Sequence, residues 1–160
     1  MRVGMESLVT YNYFNWSSIP HNIGRLTNLR HLNLSDASFD GKIPTEISFL
    51  SNLVSLDLTW DVCELDERTF KTLLQNLTDL EVLSLSGVNI SSPIPMNISS
   101  SLRYLDLTAT NLQGVLTESC FLLKLFKLSR NDLLKGVFPK IHPSNTMLME
   151  LGYFIHRHLW

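Results

Sequence analysis

The chain repeats a pattern of leucines in which apolar and polar residues alternate. Its clearest copy spans residues 26–50, where Leu29, Leu32 and Leu34 precede a more polar stretch. On an extended strand Leu32 and Leu34 point to one face, and the residue between them points to the other. The pattern therefore predicts a short β-strand with one buried face in each copy.

Five further copies follow at spacings of roughly 21 to 27 residues, within the range of about 20 to 29 that leucine-rich repeats occupy. Their strand positions are filled by Leu53, Leu56 and Leu58; Leu80, Leu83 and Leu85; Leu102, Leu105 and Leu107; Leu123, Phe126 and Leu128; and Leu148, Leu151 and Tyr153. One strand cannot bury its apolar face alone, whereas stacked strands share a continuous core. We therefore predict an α/β repeat solenoid, a curved leucine-rich-repeat stack with a parallel β-sheet on the concave face and loops, short helices and turns on the convex side.

Other positions of the repeat are also filled by similar residues. The position of Phe39 is apolar and predicted to be buried in each unit, with Phe14, Cys63, Ile90, Leu112 and Leu133 as its occupants. Four of the six prolines share one position, which suits a turn because proline lacks a backbone donor: Pro20, Pro44, Pro95 and Pro139. Cys63 and Cys120 stand at apolar positions, so we predict buried thiols and not a disulfide.

The fit to the repeat divides the chain into three regions. Residues 1–25 are predicted to be a degenerate partial repeat that lacks its first strand, and residues 26–153 a leucine-rich-repeat solenoid of about five units. Residues 154–160 form a non-repeat tail. For His156 and His158 in this tail, an aberrant or truncated terminus is favoured over metal binding.

An insertion in the second unit predicts a helix on the convex side. Phe70, Leu73, Leu74 and Leu77 follow the i, i+3, i+4, i+7 spacing of an amphipathic helix. Asp66 precedes them, where a carboxylate favours a helix N-terminus. We assign this helix a packing role.

Composition and motifs narrow the function. With 160 residues, 44% apolar content and a formal net charge of −2, the chain suits one folded domain and gives no argument for nucleic-acid binding. It has no apolar run of about 18 residues and no apolar leader, so we expect neither a membrane-spanning segment nor a signal peptide in it. Phosphate-binding loops, zinc spacings and nucleophile motifs are missing, so we predict no enzyme activity, cofactor or metal site.

Five Asn-x-Ser/Thr sequons suggest a secreted glycoprotein. We predict glycosylation first at Asn15, Asn76 and Asn97, which fall on loops or the convex side. Asn33 points out from a concave strand, where a glycan would obstruct binding. Asn89 is predicted to bond the backbone inside its turn.

The solvent-facing residues of the strands form the surface that the pattern predicts for binding, because repeat proteins bind partners on extended concave faces. Tyr104 is distinctive, since aromatic side chains often anchor interfaces. The serine and threonine that follow the strands are attributed to the repeat itself. The candidate binding residues are His31, Asn33, Ser55, Asp57, Ser84, Tyr104, Asp106 and Lys127.

The spacing LxxLxLSxxxFxGxIPxxIxxL, present as residues 29–50, resembles the plant extracellular type of leucine-rich repeat. The stretches YNYFNWSSIPHNIGRLTNLRHLNLS and FKTLLQNLTDLEVLSLSGVNISS are similar to the early ectodomain of plant receptor-like proteins of the disease-resistance class. The resemblance covers about residues 9–153. It implies a glycosylated ectodomain on the extracellular side of the plasma membrane, which perceives pathogen or developmental ligands, binds a protein or peptide, and signals through a partner receptor kinase.

Receptors of this class also carry a signal peptide, a cysteine-paired cap, a longer solenoid and a spanning helix. This sequence shows none of them, so it resembles an ectodomain fragment. Two alternatives stay open: a secreted defence protein similar to the polygalacturonase-inhibiting proteins, which use the same repeat, and a truncated remnant with no independent function. A spanning helix downstream in the gene would favour the receptor, whereas cysteine caps at both ends would favour the inhibitor.

Overall fold

The computed structural model of the chain describes residues 7–9, 16–59, 62–116, 120, 123–135 and 148–150. Its strands in chain order are β1 (Ser7–Val9), β2 (His31–Asn33), β3 (Asp40–Lys42), β4 (Ser55–Asp57), β5 (Val62–Glu64), β6 (Val82–Ser84), β7 (Tyr104–Asp106), β8 (Gly114–Val115), β9 (Leu125–Lys127), β10 (Leu134–Lys135) and β11 (Leu148–Glu150). Within this part of the chain, one parallel sheet of seven strands has the order β1-β2-β4-β6-β7-β9-β11. The predicted repeat solenoid with a parallel sheet is confirmed.

The core lies directly behind this sheet. The central residues of five successive strands are register partners and are each at most 1% exposed: Leu32, Leu56, Leu83, Leu105 and Phe126. Burying such a side chain contributes about 1.5 to 3 kcal/mol each. Because side chains alternate along a strand, the residues before and after each of them point away from the core, toward the concave side.

The convex side carries the predicted helix. Helix α1 spans Glu67–Asn76 and buries Phe70, Leu73 and Leu74 against the core. Asp66 caps it by accepting a hydrogen bond from the backbone N–H of Thr69 at 3.0 Å. Partial burial opposes ionisation of Asp66, but hydrogen bonds from Thr69 outweigh it and hold the pKa of the carboxyl below its ordinary value.

The proline and glycine turns of the repeat also lie on the convex side. Short 3₁₀ helices, His21–Arg25 and Thr45–Phe49, begin directly after Pro20 and Pro44, which confirms the predicted turn at these two prolines. Gly41 has a φ of +83°, in the left-handed region that side chains other than glycine adopt only with strain. Proline and glycine thus serve the backbone of the solenoid.

Both ends of the sheet differ from the sequence prediction. Residues 1–25 do contain a strand, because β1 pairs with β2 and Leu8 is the partner of Leu32. In β11, Met149 stands opposite Phe126, where Leu151 was predicted. A shift of two residues keeps the same face of a strand toward the core, so alternation alone does not fix this register.

One apolar position was also assigned to the wrong residue. Leu133 is 58% exposed, whereas Leu134 is fully buried and pairs with Gly114. The cause is a turn in which the N–H of Leu134 donates to the carbonyl of Asn131 at 3.1 Å and carries Leu133 outward. Counting from the strand misses this extra residue.

The two cysteines are buried thiols, as predicted: Cys63 lies in β5, and Cys120 lies before β9. In the part of the chain that the structure covers, no helix is long and apolar enough to cross a membrane. Predictions for several other residues fall outside the described residues: those for Phe14, Asn15, Pro139, Leu151, Tyr153, His156 and His158.

Candidate functional site

The sheet brings all eight candidate binding residues onto its concave face in two parallel rows. The first row contains His31, Ser55, Val82, Tyr104 and Leu125, and the second contains Asn33, Asp57, Ser84, Asp106 and Lys127. Neighbouring members of a row are register partners on adjacent strands. The rows therefore form one continuous surface of polar and apolar side chains.

A groove of about 290 Å³ opens on this surface over β2, β4, β6 and β7. Its floor includes the buried Leu32 and Leu56, and its rim includes the exposed Val82. Adjacent strands lie about 4.8 Å apart, so the groove spans about 14 Å from β2 to β7. The remaining lining residues are His31, Asn33, Ser55, Asp57, Ser84 and Tyr104.

Hydrogen bonds between neighbouring units fix the polar side chains of this groove. His31 Nδ1 lies 2.8 Å from the hydroxyl of Ser55. The hydroxyls of Thr59 and Ser84 lie 2.7 Å apart. The groove is thus lined by side chains already oriented by their neighbours, which lowers the entropic cost of binding.

The acidic and amide residues that end the strands are held by short turns. The Oδ1 atom of Asp57 accepts the backbone N–H of Thr59 at 3.0 Å, and Asp106 accepts that of Thr108 at the same distance. Asn33 makes the equivalent bond to Ser35 at 2.9 Å. These turns leave the second carboxylate oxygen of each aspartate for other partners.

Tyr104, Asp106 and Lys127 form a contact cluster at the β7 end of the groove. The hydroxyl of Tyr104 donates to Asp106 Oδ2 at 3.3 Å, and Lys127 Nζ lies 3.8 Å from the same oxygen. Lys127 Nζ is also 5.9 Å from the centre of the Tyr104 ring. Burial, and next the charge of Asp106, raise the pKa of the Tyr104 hydroxyl above its ordinary value.

Val82 occupies one of the outward strand positions that the pattern predicts for this surface, although the eight preferred candidates did not include it. It is 38% exposed and pairs with Tyr104 across the ladder. Its place between two polar candidates in the same row was the available signal. Among the described residues, no three His, Cys, Asp or Glu side chains group as a metal site requires.

The sequons lie at different places on the solenoid. Asn76 ends α1, and Asn97 lies in a loop beside this helix; both are exposed. Asn33 lines the groove. The prediction for Asn89 is wrong, because it is half-exposed and bonds the side chains of Ser91 and Asn111 instead of the backbone.

The repeat position whose side chain lies inside the turn comes one residue before that of Asn89. Val88 occupies it in that unit, and Asn131 occupies it two units later. Asn131 is 1% exposed, and its amide nitrogen donates to the carbonyls of Leu107 at 2.7 Å and Leu128 at 2.9 Å. Its oxygen accepts the N–H of Leu112 at 2.9 Å.

Sequence comparison shows what the chain is similar to. The family model named Leucine Rich Repeat matches residues 28–50. Receptor-like protein Cf-9 homolog of Solanum lycopersicum is 43% identical over 154 residues, covering 92% of this chain and 18% of that protein. Receptor-like protein 6 of Arabidopsis thaliana is 36% identical over 152 residues, covering 88% and 15%. The chain is a leucine-rich-repeat protein homologous to the plant receptor-like proteins. It spans less than a fifth of the length of these two relatives.

Solved ectodomains have the same fold as this leucine-rich-repeat protein. The ectodomain of the receptor kinase SOBIR1 from Arabidopsis thaliana has a TM-score of 0.69 and 25% identity, covering 82% of this chain and 72% of that one. The plant peptide hormone receptor RGFR1, in complex with RGF2, has a TM-score of 0.65 and 32% identity, covering 74% and 19%. The Arabidopsis receptor kinase HAESA, in complex with the peptide hormone IDA and the co-receptor SERK1, has a TM-score of 0.63 and 26% identity, covering 82% and 25%.

Proposed function

We propose that this leucine-rich-repeat protein is a ligand-binding segment of a plant receptor-like ectodomain, and that it binds a protein or peptide on its concave face. The observation that carries the proposal is the groove of about 290 Å³ on β2, β4, β6 and β7. Its span of about 14 Å fits about four residues of an extended peptide. The floor of buried leucines makes it rigid.

The relatives support a receptor role over the alternatives. The two relatives reported above are receptor-like proteins. Of the similar structures, one is a peptide hormone receptor in complex with RGF2, and another is a receptor kinase in complex with the peptide hormone IDA and the co-receptor SERK1. We accordingly propose binding and not catalysis as the activity, a partner receptor kinase for signalling, and a location on the extracellular side of the plasma membrane. Neither the secreted inhibitor nor a remnant without function has a specific observation in its favour.

We also propose that Asn76 and Asn97 carry glycans. Both are exposed and belong to the convex side around α1, so glycans there leave the concave groove accessible. We propose a glycan at Asn15 as well, on the basis of its sequon alone. Expression through a secretory pathway tests this: Asn76→Gln and Asn97→Gln should each remove one deglycosylation-sensitive step in mobility. A mobility unchanged by both substitutions would contradict it.

The experiment that tests the binding proposal is selection of a random heptapeptide library displayed on phage against the immobilised chain. Selected peptides should bind with affinities that fall at least about tenfold in Ser84→Trp, because the indole fills the groove. Arg68→Trp is the matched control, since Arg68 is exposed on α1 of the convex side. Equal affinity for wild type and Ser84→Trp, with loss in Arg68→Trp, would place binding on the opposite face and contradict the proposal.

A further inference from the structure

Two aspartates occupy equivalent places on the concave sheet, two strands apart. Asp57 ends β4 and Asp106 ends β7, and both lie in the second row. Each uses Oδ1 to accept a backbone N–H two residues later, from Thr59 and Thr108 respectively. The two carboxylates are therefore presented to the concave face in the same way.

The charges around these two carboxylates differ. Asp106 Oδ2 meets Lys127 Nζ at 3.8 Å and the Tyr104 hydroxyl at 3.3 Å. The row neighbours of Asp57 are Asn33 and Ser84, which carry no charge. Over the residues that the structure describes, no salt bridge involves Asp57.

The walls of the groove suit the stem of a long side chain. Val82 lines it on the strand next to that of Asp57 and is 38% exposed, and Tyr104 lines it one strand further along the row of Val82. Lysine and arginine bury their methylene stems on apolar surface while the charged head reaches a polar partner. An uncompensated carboxylate next to an apolar wall is complementary to such a side chain.

We propose that the groove binds a peptide through one basic side chain, arginine or lysine, whose cation pairs with Asp57 and whose stem packs on Val82 and Tyr104. Asp106 does not serve as a second site, because its Oδ2 already faces Lys127 Nζ at 3.8 Å and accepts from the Tyr104 hydroxyl. The inference rests on the proposed function and adds the chemistry of the residue recognised.

The test uses the full chain and three pools of fluorescent heptapeptides that differ only at the central residue. This residue is arginine, its uncharged isostere citrulline, or glutamate, and the other six positions are equal mixtures of uncharged residues. Fluorescence anisotropy measures the affinity of each pool. We expect the arginine pool to bind about tenfold more tightly than the citrulline pool, and the glutamate pool to bind most weakly.

Substitutions test whether Asp57 causes the preference for arginine over citrulline. Asp57→Asn keeps an oxygen for the N–H of Thr59, so the turn persists, and it should reduce the arginine preference to about twofold or less. Asp57→Ser, which copies the residue at Ser84, should do the same. Asp79→Asn, at an exposed residue outside the groove, should keep the full preference.

Three results would overturn the inference. Equal binding of the arginine and citrulline pools, or a preference that survives both Asp57 variants, would exclude recognition of a cation at Asp57 while leaving the proposed peptide binding intact. Failure of all three pools to bind would overturn the proposed function as well.

Discussion

The two halves of the concave face rest on one continuous row of buried side chains, from Leu32 to Phe126, but differ in how their charges are satisfied. The first half contains His31, Ser55 and Asp57, and its carboxylate has uncharged row neighbours. In the second half, Asp106 lies between Tyr104 and Lys127 and is only 8% exposed. The repeat fixes where the outward side chains lie, whereas the adjacent units decide which of them remain available to a ligand.

The largest loss of stability is expected from a substitution in the buried row behind both halves. Leu105→Asp should lower the free energy of unfolding by about 3 to 5 kcal/mol, because it buries an unpaired charge at a fully buried position. Ser84→Asp, on the outward side of the neighbouring strand, should leave the chain folded and cost only about 1 kcal/mol, because the new carboxylate stays in contact with solvent although it lies between Asp57 and Asp106. Circular dichroism and protease resistance measure both; a folded, resistant Leu105→Asp chain would show that the register is wrong.

A smaller effect is expected at the turn behind the second half. Asn131→Ala should lower the free energy of unfolding by about 2 to 4 kcal/mol, because it leaves buried backbone groups of Leu107, Leu112 and Leu128 without hydrogen bonds. Gln113→Ala, at an exposed residue in the preceding unit, is the control and should cost little. Urea denaturation measures the difference, and equal midpoints for the two variants would contradict this role.

The stabilities of Asp106→Asn and Asp57→Asn compare the two halves of the concave face directly. Asp106→Asn should cost about 1 kcal/mol, because the carboxylate loses its attraction to Lys127 in a mostly buried setting. Asp57→Asn should be neutral to within about 0.5 kcal/mol, since no cation is paired with it among the described residues. A double-mutant cycle with Lys127→Met separates the pair energy. Equal costs for Asp57→Asn and Asp106→Asn would remove the distinction between the halves.

The smallest effect concerns titration of Tyr104. Its folded pKa is raised above the ordinary 10.0, first by burial and then by the charge of Asp106. The raised value contributes stability that is fully present below pH 10 and is lost as pH rises through the folded pKa. Tyrosinate absorbance, taken as the difference between the chain and Tyr104→Phe, should show a lower pKa in Asp106→Asn and an unchanged one in Asp57→Asn. The reverse order would contradict the cluster.

The sequence predicted the features that depend on local periodicity. The period of two in each strand placed Leu32, Leu56 and Leu83 in the core, and the helical spacing of Phe70 and Leu73 located α1. Both patterns reflect which face of an element is buried, and burial is what the sequence records most directly.

The sequence did not predict features that depend on turns or on pairing between units. One additional residue in a turn exchanged the environments of Leu133 and Leu134, and a displacement of one position misplaced Asn89. The pairing of Asp106 with Lys127 requires the register of β7 on β9, which repeat counting gives only when no unit changes length. The register predicted for the last unit was wrong for this reason, since Met149 is the partner of Phe126.

The most direct test of the account is the rate of thiol alkylation at single cysteines introduced on opposite faces. Ser84→Cys lies in the concave groove, and Met96→Cys replaces a convex residue that is 78% exposed. Both are measured in the full chain with and without a saturating peptide obtained by phage selection. The account predicts that the peptide slows alkylation of Ser84→Cys and leaves Met96→Cys unchanged. Protection of Met96→Cys with no change at Ser84→Cys would show that ligands bind the convex side, and would contradict it.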